Sequence, residues 1–283
     1  MNNIKMLHRV FVEPNKMYDI YNSRIKGLAV QYHELTTYID SALELGFYLG
    51  SLVEAIENPK CIHLTFDDGY KEHLIVAKLL RKKYGLERKD LTFCINVNNC
   101  TQSTKICTDV FYYLFQVGEF QYLKEMLIKY SCSYESISAN NFLFNFDRVK
   151  KVFSLNISRL LDFFQILCNR CKELGIELPF LTECEVVELS KYATIASHAI
   201  HHYHLDCLNE DEAKKELEGS KKILEKITKT QIEIFCYPDG SNSKVLQNYC
   251  KIAGYHYALS INSKDFKNVY CIPRCLNIRS LKN

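Results

Sequence analysis

Cys61-Ile62-His63-Leu64-Thr65-Phe66-Asp67-Asp68-Gly69-Tyr70 is the stretch on which the reading of this chain turns. A short apolar run ends in two adjacent carboxylates and a glycine. That pattern reads as a buried strand that delivers Asp67 and Asp68 to its C-terminal mouth, with Gly69 permitting a sharp turn. Two neighbouring acids repel, so holding them together calls for a cation or a shared proton. Taken alone, the pair reads better as a common Asp-Gly turn ahead of an N-capped helix, and two later stretches change that balance.

Working outward, residues 72–84 have helical spacing with Gly85 as a stop, and residues 91–97 form a strand pattern. Upstream, Ser51 is placed to cap a short helix through Ile56. Leu35, Tyr38, Ile39, Ala42 and Leu45 mark another helix stopped by Gly46, and residues 4–11 read as a first strand before a polar, proline-containing link. Strand and helix therefore alternate from residue 4 to 97, as in a parallel sheet or barrel. The rhythm breaks over 108–178, where Leu160, Leu161, Phe164, Leu167, Cys168 and Cys171 exemplify helical spacing, and an insertion of several helices is expected. After Pro179 it resumes. A helix is expected at 184–191, a strand at 192–197 and a long helix opened by the Asn209/Glu212 capping box. Strands at 232–237, 256–261 and 272–278 follow, with a helix at 243–253.

The 283 residues are 47% hydrophobic and carry a formal charge of +3, which gives no push toward nucleic acid or an anionic membrane. No apolar run approaches the length of a membrane span and no signal-peptide core is visible. Thirteen cysteines at irregular spacing fit reduced thiols better than a disulfide scaffold, so a cytoplasmic protein, at most peripheral to a membrane, is expected. Cys168 and Cys171 read as helical core cysteines rather than half of a zinc or redox site.

Two further stretches end predicted strands. Ser197-His198-Ala199-Ile200-His201-His202-Tyr203-His204 holds four histidines. His198 and His202 are four apart, so on a helical turn they would share a face and grip one metal, while His201 and His204 would point elsewhere. Phe235-Cys236-Tyr237-Pro238-Asp239-Gly240 contains a Pro-Asp-Gly turn whose backbone N–H would face an oxyanion at a pocket rim. All three stretches lie at C-terminal strand ends, the edge that holds active sites in barrel-like α/β folds. One carboxylate and two histidines form a common facial set for a divalent metal.

Thr65-Phe66-Asp67-Asp68-Gly69, His198-Ala199-Ile200-His201-His202 and Tyr237-Pro238-Asp239-Gly240 resemble, in order and spacing, the successive motifs of the polysaccharide deacetylases, the NodB-homology enzymes of carbohydrate esterase family four. Met6-Leu7-His8-Arg9-Val10, the region 216–220 and Ile272-Pro273-Arg274 add to the likeness, which covers most of the chain outside 108–178. The resemblance implies a distorted (β/α)7 barrel, here with the helical insertion, as a single NodB-like domain over residues 1–283. It also implies metal-dependent removal of an acetyl group from an N-acetylated sugar, saccharide or glycolipid precursor. Asp68, His198 and His202 would hold the metal, with zinc favoured and nickel, cobalt or iron also suited. Asp67 would be the general base, and a backbone N–H near Asp239 would steady the oxyanion.

The chain also departs from the family pattern. Ala199 replaces a usual Ser or Thr and Tyr203 a usual Pro, which changes loop geometry rather than ligation. Cys236 stands where many members carry an arginine that orients the base, and Arg274 is the substitute expected here. The late Leu-x-x-His pattern ends in Arg279, a poor acid. His8 is the candidate proton donor, against its plain reading as a satisfied barrel histidine. Two alternatives follow from these departures: a catalytically impaired sugar-binding homologue, and an O-acetyl esterase on the same scaffold. The sequence has no tryptophan, so any stacking on sugar falls to tyrosine and phenylalanine.

Overall fold

Seven short strands carry the architecture. In the computed structural model, which describes residues 3–130, 151–261, 267–276 and 278, they are β1 (Ile4–Leu7), β5 (Cys61–Phe66), β6 (Leu91–Ile95), β7 (Thr194–Ser197), β8 (Ile234–Cys236), β9 (Tyr257–Ser260) and β10 (Ile272–Pro273). They pair in the order β1-β5-β6-β7-β8-β9-β10, every pair parallel. The ring closes just past β10, where the Met6 N–H donates to the Cys275 carbonyl and the Cys275 N–H to that of Ile4, both at 2.9 Å. This is the expected distorted (β/α)7 barrel. Three further strands lie outside the ring: β2 (Arg9–Phe11), which pairs β3 (Ala29–Gln31), and β4 (Tyr48–Leu49), which pairs β5.

Period-two alternation splits each strand between two surroundings. On β5, Ile62, Leu64 and Phe66 pack outward among Leu35, Ile39, Val76, Ala77 and Leu80 of the helices Tyr32–Glu44 and His73–Tyr84. Cys61 belongs to the barrel interior with Ile4, Cys94, Ala196, Ile234, Cys236, Leu259 and Ile272. The whole strand is therefore buried, as both faces of a parallel sheet must be. Small cysteines and alanine let so narrow a barrel fill, at about 1.5–3 kcal/mol per large apolar side chain buried outside it.

The capping signals hold. Ser51 and Asn209 make capping boxes at Leu52–Glu57 and Glu210–Thr228, and Gly85 ends its helix with φ 68°. Among the described residues the stretch between β6 and β7 is helical, including Asp109–Gln116, Phe120–Lys129 and Ile157–Glu173. Part of the expected insertion, 131–150, lies outside the described residues. Phe111, Leu123, Phe163, Phe164 and Leu167 share a second core with Tyr21 and with Cys168 and Cys171, both helical core thiols as expected. All cysteines among the described residues are free, and no helix there is long and apolar enough to cross a membrane.

Two readings change. The strand expected over 4–11 is broken at His8, so β1 enters the barrel while β2 leaves it. The polar, proline-containing link holds the helix Met17–Arg24 and β3. Three-residue strands offer too little period-two pattern to stand out from a link.

Candidate active site

The strand mouths build the site. The Asp67 N–H donates to Leu7 O at 2.9 Å and the His198 N–H to Ile95 O at 2.9 Å, each prolonging a barrel ladder by one bond. The chain then breaks away. Asp68 and Gly69 both take φ 75°, Ala199 takes φ 62° and Asp239 φ 51°. Left-handed backbone is costly for residues with a Cβ. Here it turns successive side chains into one cavity of about 470 Å³, lined among others by His8, Asp67, Asp68, His198, His202, Asp239 and Arg274.

Asp67 is 2% exposed and its two oxygens accept from Arg274 Nη1 at 2.7 Å and Nη2 at 2.8 Å. Burial alone would raise its pKa, but the Arg274 guanidinium, helped by His198, holds the carboxyl well below the usual carboxylate range. Arg274 thus takes the partnership expected of it in place of the family arginine. Cys236, which occupies that arginine's position, has its sulfur 3.7 Å from both Asp67 oxygens.

Asp68 turns the other way. Its Oδ1 lies 3.5 Å from His198 Nε2 and 3.7 Å from His202 Nε2, and the candidate ligand atoms of the three residues all fall within 4.8 Å of one another. Burial pushes its carboxyl up to about 7, against the pull of His198. Burial opposes charge on His198, yet Cys236, Asp67 and Asp68 outweigh it and bring its pKa to about 10. The cluster is a place for positive charge, and a divalent cation fits that demand. The donor set fits as well. His198 Nδ1 donates to the Cys236 carbonyl at 2.8 Å, which leaves Nε2 as the nitrogen facing the centre, where a metal would replace its proton.

The structure corrects how the histidines meet. His198 and His202 do not share a helical turn. They lie in an irregular loop and converge, ring centroids 5.0 Å apart, because Ala199 reverses the chain. His201 points away, as expected, with Nδ1 2.7 Å from Glu216 Oε1. His204 does not. Its Nε2 is 3.2 Å from Asp239 Oδ2, the oxygen that also lies 3.7 Å from His202 Nδ1. Asp239 therefore faces the site with its side chain as well as its turn. His8 lines the same cavity, whereas Arg279 is outside the described residues.

Sequence reasoning missed Tyr70 and Asp109. The Tyr70 hydroxyl is 3.2 Å from Asp68 Oδ2 and 3.2 Å from Asp109 Oδ2, and Asp109 is buried at the start of an insertion helix. The aromatic residue just after Asp67-Asp68-Gly69 was a usable signal, but nothing local marked Asp109.

A family model described as polysaccharide deacetylase matches residues 185–258, the stretch with the histidine and Pro-Asp-Gly motifs. No curated protein matches the chain. Among solved structures it is similar to the deacetylase PplD of Streptococcus pyogenes, solved in complex with acetate (TM-score 0.57, 15% identity, 96% of this chain and 90% of that one). It is also similar to a polysaccharide deacetylase from Bacillus cereus (0.55, 16%, 96% and 63%). A third likeness is to a de-N-acetylase from Aggregatibacter actinomycetemcomitans (0.54, 14%, 97% and 94%). At such identities these likenesses establish the fold. Together with the family match they bear out the resemblance to polysaccharide deacetylases.

Proposed function

We propose that this chain, which carries the motifs and the barrel of the polysaccharide deacetylases, is a metal-dependent hydrolase that removes the N-acetyl group from an N-acetylated sugar. The observation that carries this reading is the meeting of Asp68, His198 and His202 beside an arginine-paired Asp67 in one cavity at the strand mouths. Two imidazoles and a carboxylate suit zinc. Held by these three residues, the metal supplies a Lewis acid for the acetamide and its attacking water.

The protein's own groups have distinct tasks. Asp67 is kept ionised by Arg274, so its oxygens can take the proton of the attacking water. His8, on the same cavity, delivers a proton to the leaving amine, which an amide nitrogen needs in order to depart. The backbone N–H of the turn at Asp239 faces the developing oxyanion. Tyr21, Tyr70, Tyr112 and Tyr237, all buried, wall the cavity.

The test is acetate release from N-acetylated sugars and oligosaccharides by protein stripped with a chelator and then reloaded with zinc, cobalt or nickel. Asp67→Asn is expected to lower release by about 10²–10⁴-fold while metal still binds. Full activity in that variant refutes the role of Asp67. Release from O-acetyl substrates alone would mark an esterase, and saccharide binding without any release a sugar-binding protein.

A further inference from the structure

Asp68 has two carboxylate oxygens, and only Oδ1 faces the imidazoles of His198 and His202. Oδ2 is 3.2 Å from the Tyr70 hydroxyl. That hydroxyl is in turn 3.2 Å from Oδ2 of Asp109, whose Oδ1 accepts a hydrogen bond from the Tyr21 hydroxyl. Arg9 Nη1 donates to the Tyr21 oxygen at 2.8 Å, and its guanidinium also pairs with Glu72 and lies 4.6 Å from the centre of the Tyr70 ring. A line of polar groups thus starts at β2, crosses the helix Met17–Arg24 and the insertion, and ends on the ligand residue that follows β5.

Counting hydrogens gives the line a direction. Tyr70 has one hydroxyl hydrogen between two carboxylates. Both contacts become hydrogen bonds when Tyr70 donates to Asp68 and Asp109 itself carries a proton to donate to Tyr70. Every group then donates to the next: Arg9 to Tyr21, Tyr21 to Asp109, Asp109 to Tyr70, Tyr70 to Asp68. Burial raises the Asp109 pKa, and Arg9, whose Nη1 lies 4.0 Å from Asp109 Oδ1, opposes the rise.

We propose, on the basis of the metal reading above, that Tyr70 and Asp109 are positioning residues for Asp68, holding Oδ2 so that Oδ1 alone is presented to the metal. Asp109 sits on the helical insertion, so the insertion completes the ligand geometry and does more than wall the cavity. Outer partners of this kind set the orientation and basicity of a metal ligand.

Zinc affinity measured by competition with a chromophoric chelator, together with the visible spectrum of the cobalt(II) form, tests the proposal. Tyr70→Phe keeps the stacking on Phe180 and the edge contact with His73. It is expected to bind zinc about 10–100-fold more weakly and to shift the cobalt bands while the protein stays folded. Asp109→Asn, whose amide can still donate to Tyr70 and accept from Tyr21, should stay within about threefold of wild type, whereas Asp109→Ala should lose as much as Tyr70→Phe. Equal affinity in Tyr70→Phe and wild type, or equal loss in Asp109→Asn and Asp109→Ala, overturns the proposal. A wild-type protein that takes up no zinc, with His202→Ala no different, would overturn the metal reading itself and with it this inference.

Discussion

Asp67 and Asp68 are adjacent in sequence yet live in opposite electrostatic surroundings. Asp67 lies against a guanidinium that holds it ionised, while Asp68 is pushed up by burial and faces two imidazoles. The fork of Arg274 matters here, because two parallel N–H donors fix both the charge and the rotation of the carboxylate. Lysine keeps the charge and loses the fork. Arg274→Lys is therefore expected to let the Asp67 pKa rise toward the ordinary carboxylate range and to lower kcat/KM roughly tenfold or more. The sign follows directly: a base whose pKa rises loses its active form at higher pH, so the acid limb of the pH profile moves up. A profile that superimposes on wild type would contradict this. The acid pair itself was legible in the sequence, as was the substitution of Arg274 for the residue at Cys236. The contact between Asp67 and Arg274, 207 residues apart, exists only because the barrel closes.

At the scale of elements, three loops bend a site out of strand ends. Asp68, Ala199 and Asp239 are three of the four non-glycine residues with positive φ among the described residues; Asp68 and Asp239 line the cavity, and Ala199 lies in the loop that carries His198 and His202. Such strain persists where surrounding contacts over-determine it. For the histidine loop those contacts come from the helix Glu210–Thr228. Glu216 accepts from the backbone N–H groups of Ile200 at 3.0 Å and His201 at 2.8 Å, and Gly219 leaves room for Ile200, whose Cδ1 would lie 2.7 Å from any Cβ placed there. Glu216→Ala strands those donors in a largely buried loop. It should cost about 2–3 kcal/mol in a denaturation experiment and weaken zinc binding through His198 and His202. Unchanged stability and affinity would show that the loop holds its shape unaided. Helix ends were readable beforehand because caps are local chemistry: Ser51, Asn209 and Gly85 each act within one turn. The meeting of His198 and His202 was foreseen for the wrong reason, since a spacing of four fits a helical turn and also fits a loop reversed at Ala199.

For the whole molecule, barrel closure has a pH signature. His63 fills the interior, with Nδ1 donating to the Gly50 carbonyl at 2.8 Å and Nε2 accepting from the Thr92 hydroxyl at 2.9 Å. Burial lowers its pKa to about 4. The folded state keeps His63 neutral while the unfolded chain protonates it near its ordinary value of about 6.5. Its contribution is thus present above that value and is lost as pH falls toward 4, by about 2 kcal/mol at pH 5. Asp68 titrates in the same window with the opposite sign, so the measurement is a difference. The stability gap between wild type and His63→Gln should shrink by that amount from pH 7 to pH 5 in chelated protein. A gap independent of pH would mean that His63 takes up its proton in the fold as readily as in the unfolded chain.

The sequence by itself determined the βα rhythm, the helical interruption between β6 and β7 and the three chemistry-bearing stretches. All of these rest on local physics: side-chain period, capping and turn chemistry, and the cost of placing two carboxylates together. Only the tertiary structure decided the pairing of Asp67 with Arg274, the support of the histidine loop by Glu216 and the line from Arg9 through Asp109 and Tyr70 to Asp68. The first and the third join residues far apart along the chain and form only when β10 closes on β1 and the insertion packs against the helix Met17–Arg24, while the second spans 15–16 residues and needs the helix Glu210–Thr228 folded back on the loop.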